Sequence, residues 1–336
     1  MKLTDLLQRA WQRRGLPAGL LLPLGAAFAL LAATRCAMYR HGLLRRERLS
    51  VPVVVIGNIT VGGSGKTPLT LWLIGELRER GFRPGVVSRG HGGIGRVTEV
   101  LPGGDAAQVG DEPLMMKRRA GLPVFVGRDR VAAARALIAA HPDCDLIVAD
   151  DGLQHYRLAR DIEIAVVDGR GLLNGWPLPA GPLREPSSRL GRVDALVVNG
   201  FPPELPSDTA GPAQFRMRLV GDTFHSLAEP ERTCVAADLA GLRLAAIAGI
   251  GDPGRFFEHL EALGLSCRFH AFPDHHRYLS ADLAAIDADA LLMTEKDAVK
   301  CAGLTERPVW VLPVTARVEP DLAALVMEKL DGRPPA

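Results

Sequence analysis

The chain has 336 residues, 47% of them hydrophobic, and 40 Lys and Arg against 38 Asp and Glu leave a net charge of +2. That balance excludes a globally basic nucleic-acid binder, and the apolar content excludes a disordered chain, so no nucleic-acid partner is expected. The five cysteines (36, 144, 234, 267, 301) are scattered with no Cys-x-x-Cys pair, which excludes a disulfide framework and a zinc ribbon and favours a reducing compartment.

Charge is uneven along the chain. Residues 1–48 hold nine basic and two acidic side chains, a basic head on a mildly acidic body. Inside that head, residues 15–34 (GLPAGLLLPLGAAFALLAAT) are twenty uncharged positions, about the length that crosses a hydrocarbon core. Arg13, Arg14, Arg35 and Arg40 flank the stretch, where they can meet anionic headgroups. Pro17 and Pro23 weaken a straight helix, although membrane helices tolerate proline. A cleaved signal peptide and a buried soluble helix compete with a retained membrane helix, spanning or lying in the interface. The retained helix agrees best with the nucleotide chemistry that follows.

From residue 51 the pattern becomes strand, glycine loop, helix, repeated. Apolar runs at 51–56, 84–87, 123–126, 145–149, 162–167 and 193–198 read as buried strands, and 68–80, 112–120 and 128–140 as helices. The fold class expected is α/β: a P-loop-type, mostly parallel, doubly wound sheet. A proline-rich segment at 201–212 is the linker candidate. Beyond it, strands at 244–248, 267–271, 290–293 and 309–312 and helices at 253–263 and 321–330 read as a second, smaller α/β unit. The expected domains are therefore 1–37 (membrane helix), 38–202 (P-loop core) and 203–336 (smaller domain), the last helix being free to return to the core.

The most informative segment is IGNITVGGSGKTP, 56–68, in which a buried strand runs into a glycine loop and then a helix. Thr60, Val61, Gly62, Gly63, Ser64, Gly65, Lys66 and Thr67 would cradle phosphates. Glycines let backbone N–H groups curl around the oxygens, Lys66 reaches the β- and γ-phosphates, and the Thr67 hydroxyl binds Mg²⁺. Thr60 departs from the strict G-x-x-x-x-G-K-[ST] pattern. Asp150 and Asp151 end the 145–149 strand, where a metal-holding acid belongs, or where an aspartate merely caps a turn. Asp111 opens a helix as an N-cap or as a functional acid. Glu185 lies in a Pro/Gly-rich loop, as a solvated charge or a further acid. His275 and His276 suit acid–base work or an ordinary polar loop, and no Cys/His constellation supports zinc. Arg89 and His91 lie in a Gly-rich loop at a strand's C-terminal end, where such sheets face their crevice.

Taken together, GNITVGGSGKTP (57–68), SRG-x-GG (88–93), GDEP (110–113), ADDGLQH (149–155), PAGPLREP (179–186), FPDH (272–275) and TEKDAVKC (294–301) resemble the tetraacyldisaccharide 4′-kinases, the lipid A 4′-kinases, over nearly the whole chain. The resemblance implies two α/β domains joined by a two-stranded linker. It implies transfer of the γ-phosphate of ATP, with Mg²⁺, to the 4′-hydroxyl of a tetraacyl glucosamine disaccharide 1-phosphate, giving lipid IVA. It implies a catalytic Asp111 partnered by His275 with Lys66, metal-holding Thr67, Asp150, Asp151 and Glu185, and substrate contacts from Arg89, His91, Gln154 and His155. A monomer at the cytoplasmic face of the bacterial inner membrane, meeting an acylated disaccharide lipid, is expected. His91 stands where the family commonly has Tyr, and TEKD (294–297) carries no assigned role. The competing reading is a membrane-tethered P-loop ATPase or GTPase switch acting on a protein or metal partner. Against it, TEKD fails the Asn-Lys-x-Asp guanine spacing, and the chain holds no His- or Cys-rich tract.

Overall fold

The computed structural model describes residues 3–201 and 211–331. Most of the 201–212 linker candidate, with the 202/203 boundary, lies outside the described residues.

Three helices open the chain: α1 (Leu3–Trp11), α2 (Leu16–Leu20) and α3 (Leu22–Arg40). The apolar stretch thus breaks at Leu21, with Pro17 and Pro23 each in the first turn of a new helix, where a missing N–H costs nothing. By length and composition α3, of 19 residues, could cross a membrane. Leu24, Leu30 and Leu31 on it are exposed. Its other side is fastened: a Cβ at Gly25 would lie 3.2 Å from both Ala180 Cβ and Pro177 O. Trp11 Nε1 donates to Pro179 O (2.9 Å) and Arg14 Nε to Asn174 O (3.0 Å). The N-terminal helices therefore grip the 174–185 loop.

The body alternates strands and helices: β1 (Val53–Gly57), α4 (Lys66–Glu79), β2 (Pro84–Ser88), β3 (Thr98–Glu99), α5 (Ala106–Val109), α6 (Asp111–Ala120), β4 (Val124–Val126), α7 (Arg130–Ala140), β5 (Leu146–Asp150), β6 (Ile162–Asp168) and β7 (Ala195–Asn199). After β8 (Ala213–Val220) comes a second set: β9 (Thr223–Ser226), β10 (Thr233–Val235), β11 (Leu244–Ala248), α8 (Pro253–Ala262), β12 (Cys267–Ala271), α9 (Ser280–Ala284), β13 (Ala290–Thr294), α10 (Glu295–Cys301) and β14 (Val309–Leu312). The chain closes with β15 (Thr315–Glu319) and α11 (Leu322–Asp331).

Nine strands form the large sheet in the order β15-β8-β7-β6-β1-β5-β2-β4-β3, and six form the small one, β10-β9-β14-β13-β11-β12. Central pairs are parallel, with Val55 opposite Ala149 on one side and Glu163 on the other. Alternate residues feed opposite cores, as the pleat requires. Val54 and Ile56 pack under α4, α6 and α11, whereas Val53 and Val55 pack under α7. The small sheet is covered likewise, by α8 on one face and by α9 and α10 on the other.

The continuous apolar strands fall where the composition places them. The half-exposed strands do not: β8 buries Phe215 and Met217 while exposing Arg216 and Arg218, an alternation that no apolar run announces. β8 and β15 pair antiparallel at the edge of the large sheet, and the chain enters the small sheet just after one and leaves it just before the other. Residues 213–220 and 315–331 of the expected smaller domain thus belong to the large layer.

The return of the C-terminus to the large layer is testable. Leu322 is fully buried against that core. Leu322→Ala should cost about 2–5 kcal/mol in denaturant unfolding of the full chain, despite lying close to the C-terminus.

Candidate active site

The phosphate-loop segment leaves the C-terminal end of the central strand β1 and enters α4. Gly65 stands at φ +89, and a Cβ there would fall on Asn199 Nδ2 and 2.9 Å from Met217 Cε. Asn199 Nδ2 donates to Ser64 O (3.1 Å) and Arg170 Nη2 to Gly63 O (2.9 Å). Those loop carbonyls are thus turned outward. Among the described residues no protein group accepts from the N–H groups of Gly63, Ser64 or Gly65. The loop's start is pinned by Val61 N to Pro182 O (2.9 Å) and Arg184 N to Ile59 O (2.7 Å), so the loop gripped by the N-terminal helices also braces it. Thr60 faces Leu183 in an isolated bridge. Gly251, of the small lobe, approaches so closely that a Cβ there would lie 2.9 Å from Gly63 N.

Two carboxylates stand beside the loop in opposite environments. Asp150 is buried, accepts from Thr70 Oγ1 (3.1 Å) and has its Oδ2 unpartnered. Burial, with Glu112 adding repulsion, pushes its pKa up to about 7. Burial also acts on Asp151, but Lys66 (3.6 Å) and Arg184 (3.2 Å) outweigh it and hold the pKa at about 2. Asp151 adopts φ +49, which a short polar side chain tolerates.

Across the crevice, α6 begins with Asp111 and the small lobe presents His275. Nδ1 of His275 lies 3.0 Å from each Asp111 oxygen. Burial would raise Asp111, but the His275 hydrogen bond and the charges of Lys296 and Lys300 bring its pKa down to about 2. His275 stands at φ +59. Of the three non-glycine residues described with positive φ, two are therefore Asp151 and His275, and such strain clusters at functional sites.

TEKD, without a role in the sequence, organises this corner. Thr294 caps α10 by accepting from Asp297 N. Glu295 holds Arg119 of α6 at 2.7 Å. Lys296 reaches Glu112 and Asp274 at 2.9 Å each. Asp297, wholly buried, receives Gly249 N (3.1 Å), Tyr278 OH (3.0 Å) and Lys300 (3.1 Å), and Lys300 in turn lies 3.6 Å from Asp111. At this corner the sequence assigns Asp111, His275 and His91. Lys296, Lys300, Asn199, Arg170 and Arg184 were missed, and the one signal for the first two was the conspicuous TEKDAVK block.

The remaining expected residues divide. His91 packs against His275 with the rings tilted by 34° and centroids 4.6 Å apart, so it joins the site, and burial beside His275 lowers its pKa. Arg89 is exposed on the same loop. Gln154 donates to Asn58 O (2.9 Å) and to Glu185 (3.4 Å). His155 keeps a buried Nε2 without a hydrogen bond, 3.9 Å from Asp129, and burial, then Arg130, presses its pKa down to about 4. Glu185 is engaged by Tyr156, Gln154 and Arg189, whereas its neighbour Arg184 serves Asp151. A cavity of about 850 Å³ lies elsewhere, at the N-terminal ends of β13 and β14 beside Trp310 and Arg232, and holds none of these groups.

The residues fit a magnesium ion. Asp150 Oδ2 and Ser64 Oγ are buried without hydrogen-bond partners, and Thr67 is buried at the start of α4. Among the described residues no cluster of three acidic, His or Cys groups could hold a metal alone, as suits an ion that takes the rest of its ligands from phosphates.

A phosphate loop on the central strand of a parallel sheet, with a second lobe bringing a histidine onto an acid across the crevice, defines a P-loop phosphotransferase. A family model described as tetraacyldisaccharide-1-P 4′-kinase (LpxK) matches residues 17–331. A tetraacyldisaccharide 4′-kinase from Azoarcus sp. (strain BH72) is 55% identical over 328 residues, 97% of this chain and 96% of that protein. One from Dechloromonas aromatica is 53% identical over 332 residues, 97% and 98% of the two chains. The crystal structure of an "apo"-form LpxK from Aquifex aeolicus in complex with ATP superposes with a TM-score of 0.78 at 28% identity, covering 94% of this chain and all of that one. The chain belongs to the tetraacyldisaccharide-1-P 4′-kinase family, and it is a kinase of lipid A biosynthesis.

Asp150 carries a pH signature. Its raised folded pKa means that the folded state binds the proton more tightly than the unfolded one, so its contribution to stability is full below about pH 4 and is lost as pH rises through about 7. In nucleotide-free protein, Asp150→Asn should raise Tm at pH 8 and lose that advantage near pH 4. A difference between variant and wild type that does not change with pH would contradict the assignment.

Proposed function

We propose that this chain transfers the γ-phosphate of ATP to the 4′-hydroxyl of a tetraacyl glucosamine disaccharide 1-phosphate, giving lipid IVA, and that the crevice between its lobes is the reaction site. The observation that carries this is the pairing of buried Asp111 with half-buried His275, assembled from both lobes opposite the phosphate loop. The free N–H groups of residues 63–65, with the N-terminus of α4, bind the ATP phosphates, and Lys66 offsets their charge. Thr67 and Asp150 hold Mg²⁺, which would neutralise charge on the phosphates. Asp151, paired with Lys66 and Arg184, keeps the lysine aimed. Glu185 supports the metal corner from the far side through Gln154. Arg89, His91, Gln154 and His155 line the approach of the sugar.

Asp111, oriented by His275, accepts the proton of the attacking hydroxyl. A carboxylate held near pKa 2 is a weak base. In phosphoryl transfer that suffices, because positioning and electrostatics supply most of the rate and the hydroxyl proton leaves late. Closure of the small lobe brings His275 and Gly251 to the site and excludes water.

The acceptor's acyl chains belong in a bilayer, and α3, apolar and exposed along one side, supports attachment at the membrane surface. We assign that surface to the cytoplasmic leaflet, where ATP is available, with the enzyme acting as a monomer.

With γ-labelled ATP and the acceptor in mixed micelles, wild-type protein should label the lipid, and Asp111→Ala should lower kcat by about 10²–10⁴-fold. ATP hydrolysis with an unlabelled lipid would favour a P-loop switch instead. Replacing the exposed Leu30 and Leu31 together by Glu should reduce sedimentation with vesicles and leave nucleotide binding in detergent intact. Unaltered sedimentation would remove α3 from membrane attachment.

A further inference from the structure

The reaction as described leaves Lys296 without a part, yet it touches the imidazole on which that reaction depends. Its Nζ lies 2.9 Å from Glu112 Oε1, 2.9 Å from Asp274 Oδ1 and 3.4 Å from His275 Nε2. An ammonium has three protons and no lone pair. The three contacts use it fully, and the third requires Nε2 of His275 to offer a lone pair. On the opposite edge of the ring, Nδ1 lies 3.0 Å from both oxygens of Asp111. An ionised carboxylate only accepts, so Nδ1 carries the proton. Both edges of the ring specify the same neutral tautomer.

We propose that Lys296 is a positioning residue that fixes the neutral form of His275 as the Nδ1–H tautomer and opposes a second proton on Nε2, so that it widens the pH range over which the Asp111–His275 pair carries one net negative charge. The inference rests on the base role of Asp111 given above. A carboxylate beside neutral imidazole accepts a proton more readily than one beside imidazolium, whose positive charge favours the ionised acid.

The charges around the ring oppose one another. From α6 come Asp111 and Glu112; from its own loop, Asp274; from α10, Lys296 and Lys300; from the loop after β2, His91 tilted against the ring, with Arg89 nearby. His276 turns away to Asp282 (3.2 Å). Burial and Lys296 press the His275 pKa down, but the Asp111 hydrogen bond outweighs them and leaves it raised. Without the ammonium, nothing against Nε2 would oppose the second proton. Because Lys296 also binds Glu112 of the other lobe, this control operates when the lobes meet.

The test uses full-length protein with ¹⁵N-labelled histidine, the His275 signals being assigned by their loss in His275→Gln. In wild type above the His275 midpoint, the spectrum should show a protonated Nδ1 and a bare Nε2. In Lys296→Met the His275 midpoint should rise by about one pH unit, and the acid limb of kcat should move by the same amount while KM for ATP stays constant. Lys296→Arg, which keeps the charge, should shift both less. An Nε2–H tautomer in wild type above the His275 midpoint would overturn the proposal, as would an unmoved midpoint in Lys296→Met. Should Lys296→Met fail to fold, the wild-type spectrum and Lys296→Arg still decide. Retained turnover in Asp111→Ala, alongside the expected His275 shift, would remove the base role of Asp111 and leave the control of the ring by Lys296 standing.

Discussion

The hydrogen bond between Asp111 and His275 joins two lobes through one buried carboxylate, and burying a carboxylate is costly unless its charge is answered. Asp111 is answered by an imidazole from the small lobe and by Lys296 and Lys300 from α10. None of these belongs to the large sheet. The ionised acid is therefore stabilised by the lobe that also covers the crevice. Asp297, buried beneath Gly249, Tyr278 and Lys300, fixes the loop and helix that deliver these groups. The α6–α10 contact, tied at its far end by Arg119 and Glu295, sets how the two lobes meet.

The phosphate side applies the same physics to neighbours in sequence. Asp150 and Asp151 are adjacent, yet burial outweighs Lys66 and drives one up, whereas Lys66 and Arg184 outweigh burial and hold the other down. Opposed environments give two carboxylates different work. The proton-prone acid, with an open oxygen, suits a metal ion. The permanently charged one suits aiming a lysine.

Legibility in the sequence followed burial. Strands apolar on both faces, such as β1 and β5, announce themselves as runs, and the glycine loop between β1 and α4 declares its chemistry. β8 and β15 stand at an edge with one face exposed, so their residues alternate and no run forms. Asp111 and His275 lie far apart in sequence, and residue chemistry alone left each with a bland alternative; only the family resemblance paired them. TEKD stayed opaque because its four side chains serve four different partners, namely a helix cap, Arg119, the Asp274–His275–Glu112 corner and the Gly249 loop. The break at Leu21 was hidden by composition that suits one long helix or two.

β15 and α11 complete the large layer although the whole small sheet precedes them in the chain. The small lobe is thus an insertion, entered and left at neighbouring strands. On a ribosome its residues emerge as one uninterrupted block, whereas the large layer must wait for the last strand and helix. A domain whose segments are contiguous can fold as a unit during synthesis. The order of manufacture therefore runs opposite to the order of the chain's layers: the inserted lobe has its complete sequence before the layer that carries it.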